Sequence, residues 1–197
     1  DRAACTSRAR ALGADVLGEI DRRLGAAVCD RAWSCRAPSR REAFHFVVGY
    51  GWLMTEFLSR PSGLSGDACT PVARLGALAN VIVSYFDDMV DRGWPRNLLL
   101  PRVALAMAAS RPGRWLLRSL ARCTPAPMRF TVGLVVLYFT QLDELPWCRE
   151  RTPVAKDLAR SILQMYAEEG RTAREWTRLR GSPSRQRKTA LPLVVLG

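Results

Sequence analysis

The chain has 197 residues, enough for one domain of ordinary size with a core of its own. Apolar residues make up 48% of it and the mean hydropathy is −0.06, values of a soluble globular protein that exclude a disordered one. The formal charge is +12, but only Lys156 and Lys188 are lysines, and the arginines are scattered from Arg2 to Arg187 with no compact block. Such a spread fits a bias toward arginine codons better than a dedicated polyanion-binding face, with a few arginines recruited to a phosphate site. The six cysteines form no C-x-x-C pair and His45 is the sole histidine, so no zinc spacing exists and free thiols in a reducing cytoplasm are expected. No N-terminal signal pattern is visible.

Helical periods run along the whole chain, and no alternating strand pattern occurs. Residues 7–27 carry the stripe Leu12, Val16, Leu17, Ile20 and Leu24, which predicts a first helix. Residues 40–59 predict a second, in which His45, among Phe44, Phe46 and Val47, is read as a core residue and not a base. Pro-Ser-Gly-Leu-Ser-Gly at 61–66 is a loop, and Pro71 suits the first turn of a third helix. Pro101 and Pro112-Gly113 divide the next stretch into helices over 98–110 and 113–122. Pro125 and Pro127 open an apolar helix that ends near Leu145-Pro146. Its most apolar part, Phe130 to Leu142, is too short to span a bilayer and is interrupted by Thr131, Thr140 and Gln141. Pro153 starts a further helix over 154–180, Gly181-Ser182-Pro183-Ser184 breaks it, and Ser184 is placed to cap a last one. With no repeat and no linker, residues 1–197 predict a single all-α domain.

The helix after Pro71 ends in Tyr85-Phe86-Asp87-Asp88-Met89-Val90-Asp91-Arg92-Gly93. Positions i and i+4 project from one helix face, so Asp87 and Asp91 aim at a common point with Asp88 beside them. Like charges at that spacing cost roughly 0.2–0.5 kcal/mol per pair. Acids at the negative end of the helix macrodipole cost about 0.3–1 kcal/mol more. A divalent cation offsets both penalties, and hard ions such as Mg²⁺ take one or two carboxylates together with water and substrate phosphate. The competing explanation is a solvated acidic helix end with Arg92 as counterion.

A second constellation lies at Trp176–Pro192. Arg178, Arg180, Arg185, Arg187 and Lys188 fall within eleven positions, across a helix end and the start of the next helix. Backbone N–H groups at a helix N-terminus with basic side chains around them make an anion site, and Lys188 is a compact charge suited to a phosphate oxygen. A solvated basic helix is the alternative.

Together the two segments resemble the class I isoprenoid synthase superfamily, which includes bacterial class I terpene synthases and trans-prenyl diphosphate synthases. Phe86-Asp87-Asp88-Met89-Val90-Asp91 is similar to the family's first aspartate-rich motif, D-D-x-x-D on a helix lining the cavity. Trp176, Arg180-Gly181, Pro183-Ser184 and Arg187-Lys188-Thr189 resemble the turn and helix that carry the diphosphate-sensing residue. The resemblance implies an α-helical bundle of the isoprenoid synthase type. It implies Mg²⁺ held by Asp87, Asp88 and Asp91, and an allylic prenyl diphosphate bound by Lys188, Arg187 and Arg180 with Phe86 beside it. A cytoplasmic lyase without stable membrane insertion is implied, and a homodimer is compatible with it. Tyr85, Phe86, Tyr50, Trp52 and Phe57 are candidates for an aromatic wall facing a carbocation, although core packing is the commoner role of such residues.

Two departures qualify the match. The family's second metal motif lies downstream of the sensor helix, and the sequence stops at Gly197 before it, so a partial domain with its C-terminal helices missing is expected. The G-K-x-x-R element of chain-elongating enzymes is also missing, with Arg40-Arg41 the nearest approach, which favours a cyclase over a prenyltransferase. A basic helical nucleic-acid-binding protein is the alternative from another class. It is disfavoured because the arginines are dispersed and the three aspartates would serve no purpose.

Overall fold

The computed structural model describes residues 2–34, 39–64, 66–91, 99–145, 157 and 160. Over these residues the protein is all-α: α1 Arg2–Leu24, α2 Ala26–Ser34, α3 Ser39–Ser59, α4 Thr70–Asp91, α5 Leu99–Ala108, α6 Arg111–Ala121 and α7 Ala126–Glu144. Two short 3-10 turns, Arg60–Ser62 and Gly66–Ala68, join α3 to α4, and no strand occurs among the described residues. The helices expected over 154–180 and after Ser184 lie outside the described residues, except that Asp157 and Arg160 are helical and form an ion pair at 2.8 Å.

Several boundaries differ from the sequence expectation: α1 starts at Arg2 and not at residue 7, α2 is an additional helix, and α5 and α6 replace the helices expected over 98–110 and 113–122. The first helix does not reach residue 27, because Gly25 adopts φ +90°, in the left-handed region that glycine enters without steric penalty. Its N–H donates to Asp21 O at 2.9 Å, closing α1, while its carbonyl accepts from the N–H groups of Val28 and Cys29, opening α2. The apolar stripe of α1 thus ends at Leu24. Proline marks the later helix starts, and a serine cap opens α6 two residues earlier than expected. Ser110 caps α6 by accepting from Gly113 N at 3.1 Å, with Pro112 in the first turn, and α7 begins directly after Pro125.

Four long helices run antiparallel in sequence order. Gly13 lies against the His45 backbone and Gly49 against that of Ala9, so α1 and α3 touch main chain to main chain in opposite directions. In α3, Thr55 meets Gly76 of α4, and Asn80 Nδ2 of α4 donates to Val47 O at 2.8 Å. Across the core, Tyr85 of α4 meets Phe130 of α7 edge-on, with ring centroids 4.8 Å apart. Glu19 ties the other end together: Arg74 of α4 approaches it at 3.4 Å and Gln141 Nε2 of α7 donates to it at 3.3 Å. Helices α5 and α6 form a short pair on α7, which α2 also contacts. The innermost side chains include Ile20, Val48, Leu78, Ile82, Phe130 and Phe139. Residues Gly66–Tyr85 are apolar and long enough to cross a bilayer, with mean hydropathy 1.2, but 56% of that stretch is buried against other helices, as in the core helix of a soluble protein.

One buried charge pins the outer helix pair. Arg114 is 6% exposed; its Nη1 donates to Ala108 O, at the end of α5, at 2.6 Å, and its Nη2 donates to Asp143 Oδ2 of α7. Arg111 Nε also reaches Asp143 Oδ2, at 3.4 Å. Burial pushes the Arg114 guanidinium below its ordinary value, and Asp143 opposes that shift. Replacing Asp143 by Asn keeps the shape and leaves Arg114 buried without its counter-charge. Because Asp143 is 27% exposed, a loss at the lower end for broken buried pairs, about 3 kcal/mol, is expected in urea unfolding. The double variant Arg114→Met/Asp143→Leu should recover most of it, since an apolar pair removes the stranded charge. An Asp143→Asn protein within about 0.5 kcal/mol of the parent, the range of an ordinary surface change, would show that the pair does not hold α5 and α6 in place.

Candidate functional site

Helix α4 runs through the middle of the bundle, and its residues explain why. On the α3 side it presents Ala73, Gly76 and Ala77, small enough for close approach: a Cβ on Gly76 would fall 1.8 Å from Thr55 Oγ1. The polar groups of that seam are committed to backbone. Thr55 Oγ1 donates to Gly51 O at 2.8 Å and Ser59 Oγ to Thr55 O at 2.7 Å, so burying them costs little. Leu78, Val81, Ile82 and Tyr85 are buried, giving α4 an apolar body up to the residue before Phe86.

The helix does not stop where the apolar residues stop. It continues unbroken through Asp87 and Asp88 to Asp91, so the backbone places Asp87 and Asp91 one turn apart on one face, with Asp88 adjacent. No basic residue occupies the last turn of α4, where the macrodipole would favour one. Since Tyr85 lies opposite Phe130, the acidic turns stand level with the first turn of α7. They are also at the end where Leu24 of α1 packs against Gly133. The Glu19–Arg74–Gln141 junction marks the opposite pole.

Of the residues expected to form the site, Phe86, Asp87, Asp88 and Asp91 therefore share one helix end; their side chains lie outside the described residues. Arg180, Arg187 and Lys188 lie outside them altogether. Among the described residues no group of three His, Cys, Asp or Glu side chains converges on a metal-binding arrangement. Of the aromatic candidates, Tyr85 is a core residue packed on Phe130, and Trp52 packs partly buried against the core. Tyr50 and Phe57 are corrected: they are 49% and 61% exposed on the outside of α3, and so do not wall an interior cavity. Their helical periods place them on the face of α3 turned away from α4. His45 is half-buried and not part of the buried core, and its backbone carbonyl lies against Gly13.

Charge gathers at one place that sequence reasoning missed. An open cavity of about 570 Å³ lies beside the N-terminal half of α7, bounded by α1, α6 and α7, with Arg23, Arg118, Arg122 and Arg129 among its lining residues. These arginines come from three helices, and only the pairing of those helices brings them together. The chain matches no family model, no curated protein and no solved structure.

Proposed function

We propose that this chain is part of a Mg²⁺-dependent class I terpene synthase, which ionises an allylic prenyl diphosphate to a carbocation and releases diphosphate. The observation that supports it most is the end of α4, where a core helix runs unbroken into three carboxylates at i, i+1 and i+4. The donor set consists of oxygens alone, which suits a hard divalent cation. Asp87 and Asp91 are the ligands from one face, and Asp88 is a flanking ligand or holds one of them in place. Bound magnesium would supply Lewis-acid stabilisation to the departing diphosphate oxygens. Lys188, with Arg187 and Arg180, contributes cationic contacts to the same diphosphate. Val81, Ile82 and Tyr85, buried in the core just before the motif, anchor this end of α4 in the bundle, and the reaction requires that water be kept from the cation formed.

The test uses the product of the full coding sequence with Mg²⁺ and geranyl, farnesyl or geranylgeranyl diphosphate. Hydrocarbon or alcohol products with stoichiometric diphosphate are the expected result. A requirement for isopentenyl diphosphate, with longer diphosphates as products, would instead identify a trans-prenyl diphosphate synthase. No Mg²⁺-dependent diphosphate release from any of the three would remove both activities.

A further inference from the structure

The arginine-lined cavity beside α7 lies outside the α4 motif, and nothing in the reaction proposed above uses it. Two features of its chemistry point to a ligand. The first is an excess of positive charge. Arg118 Nη2 donates to the Thr140 hydroxyl at 3.1 Å, and Thr140 in turn donates to Val136 O at 2.7 Å, so this guanidinium is positioned by a neutral oxygen. Arg129 is positioned by the carbonyls of Ala121, Arg122 and Thr124 at 3.0–3.3 Å, at the C-terminal end of α6. The Arg23 guanidinium approaches Glu19 only at 3.9 Å, and Glu19 also faces Arg74 and Gln141. Among the described residues no carboxylate lines the cavity.

The second feature is an apolar floor under these cations. Val132, Val136 and Leu137 of α7 form one wall and Leu24 of α1 faces them. Gly133 makes the floor: a Cβ there would fall 2.7 Å from Leu24 Cδ2, so the Leu24 side chain rests directly on the α7 backbone beneath the opening and would have to turn aside for a larger residue. A volume of about 570 Å³ is in the range of small-molecule sites. Two hydrogen-bonded guanidinium forks, of Arg118 and Arg129, with Arg122 beside them at the rim, and aliphatic side chains below match a molecule with the same two halves.

We propose that this cavity binds a free anionic amphiphile, a phosphate monoester on a linear hydrocarbon tail. The dianionic head sits among Arg118, Arg122 and Arg129, and the tail lies along α7 toward Leu24. A dianion suits the site better than a single carboxylate because, among the described residues, the Arg118 and Arg129 guanidinium groups are held only by neutral oxygens. The concave, three-sided shape favours a single molecule over a bilayer surface. The site does not depend on the α4 carboxylates or on magnesium.

Dodecyl phosphate below its micellar concentration is the probe, titrated into the 197-residue chain by calorimetry in the presence of EDTA. One-to-one binding is expected, at least about tenfold tighter than inorganic phosphate or dodecyl maltoside, since head and tail each contribute. Arg118→Gln/Arg122→Gln changes only exposed side chains and should weaken binding about tenfold or more, the scale of one lost charge-assisted hydrogen bond. Gly133→Leu should weaken dodecyl phosphate while leaving inorganic phosphate unchanged, because Leu24 must swing into the cavity. Circular dichroism establishes that each variant is folded, and the arginine variant decides the outcome if Gly133→Leu is not. Asp87→Ala should bind as the parent does. Equal affinity of the parent and the arginine variant would overturn the proposal. So would binding to phosphatidate vesicles without binding to the monomeric probe, which would make the patch a membrane-contact surface.

Discussion

Gly49→Ala should destabilise the protein by about 3 kcal/mol, at the upper end of the penalty for overpacking a core. Helix propensity alone predicts the opposite sign, because alanine in a helix interior is worth roughly 0.5–1 kcal/mol more than glycine. The geometry decides. A Cβ at Gly49 would sit 1.6 Å from Ala9 O and 2.4 Å from Ala9 C, atoms of the α1 main chain that no rotamer change can move aside. Relief requires α1 and α3 to separate. Separation opens voids around Val16, Leu17, Ile20, Phe44 and Val48, which form part of one continuous core. Gly18→Ala on α1 is the matched control: its nearest neighbour would be Arg22 Nη1 at 3.6 Å, an ordinary contact. That variant should gain a few tenths to about 1 kcal/mol. Urea melts of the two proteins test the point, and a Gly49→Ala variant as stable as Gly18→Ala would contradict the close crossing of α1 and α3.

Asp87→Ala should reduce Mg²⁺-dependent diphosphate release about a thousandfold or more, the effect of losing several kcal/mol of charge stabilisation in the transition state. Its effect on folding should have the opposite sense. Removing one acid relieves repulsion with Asp91 and an unfavourable interaction with the helix end, together about 0.5–1.5 kcal/mol. A more stable and inactive protein is the signature of a site held against its own electrostatics. The two measurements separate the competing explanations of the acidic trio. A solvated helix end also predicts the gain in stability, but leaves turnover intact. Activity retained in Asp87→Ala would therefore return the trio to the surface.

Much of the fold could be read from the order of residues because its boundaries are local. Proline at 71, 125 and 127 acts within one turn of itself, and α4 and α7 begin where those residues indicate, whereas α6 begins at Arg111, ahead of Pro112-Gly113, because Ser110 caps it. Gly25 acts as locally, yet it was missed, since a lone glycine inside an apolar period does not announce a left-handed φ. The register of Asp87, Asp88 and Asp91 was legible for the same reason: four residues on a helix define a face. Contacts between distant helices were not. Asp143 looks like an ordinary polar residue near the end of an apolar helix until α6 brings Arg114 to it from 29 residues away. Arg23 and Arg129 are unremarkable among so many arginines, and only the packing of α1 on α7 makes them neighbours. For the aromatic residues of α3 the helical period was right, but the sequence could not say which face looked inward, so Tyr50 and Phe57, candidates for a wall or for the core, are exposed and join neither.

The glycine crossing of α1 and α3 also sets the seating of the first helix. A helix docked through interdigitating aliphatic side chains can slide by a turn and find new grooves of similar depth. Here such a slip would bring Leu17 or Ala9 to the place of Gly13, opposite the His45 carbonyl, which leaves no room for a Cβ. Only one notch accepts α1. A chimera that grafts an N-terminal helix of equal hydrophobicity but with a larger residue at the place of Gly13 should therefore fail to dock, however well its oily stripe is matched.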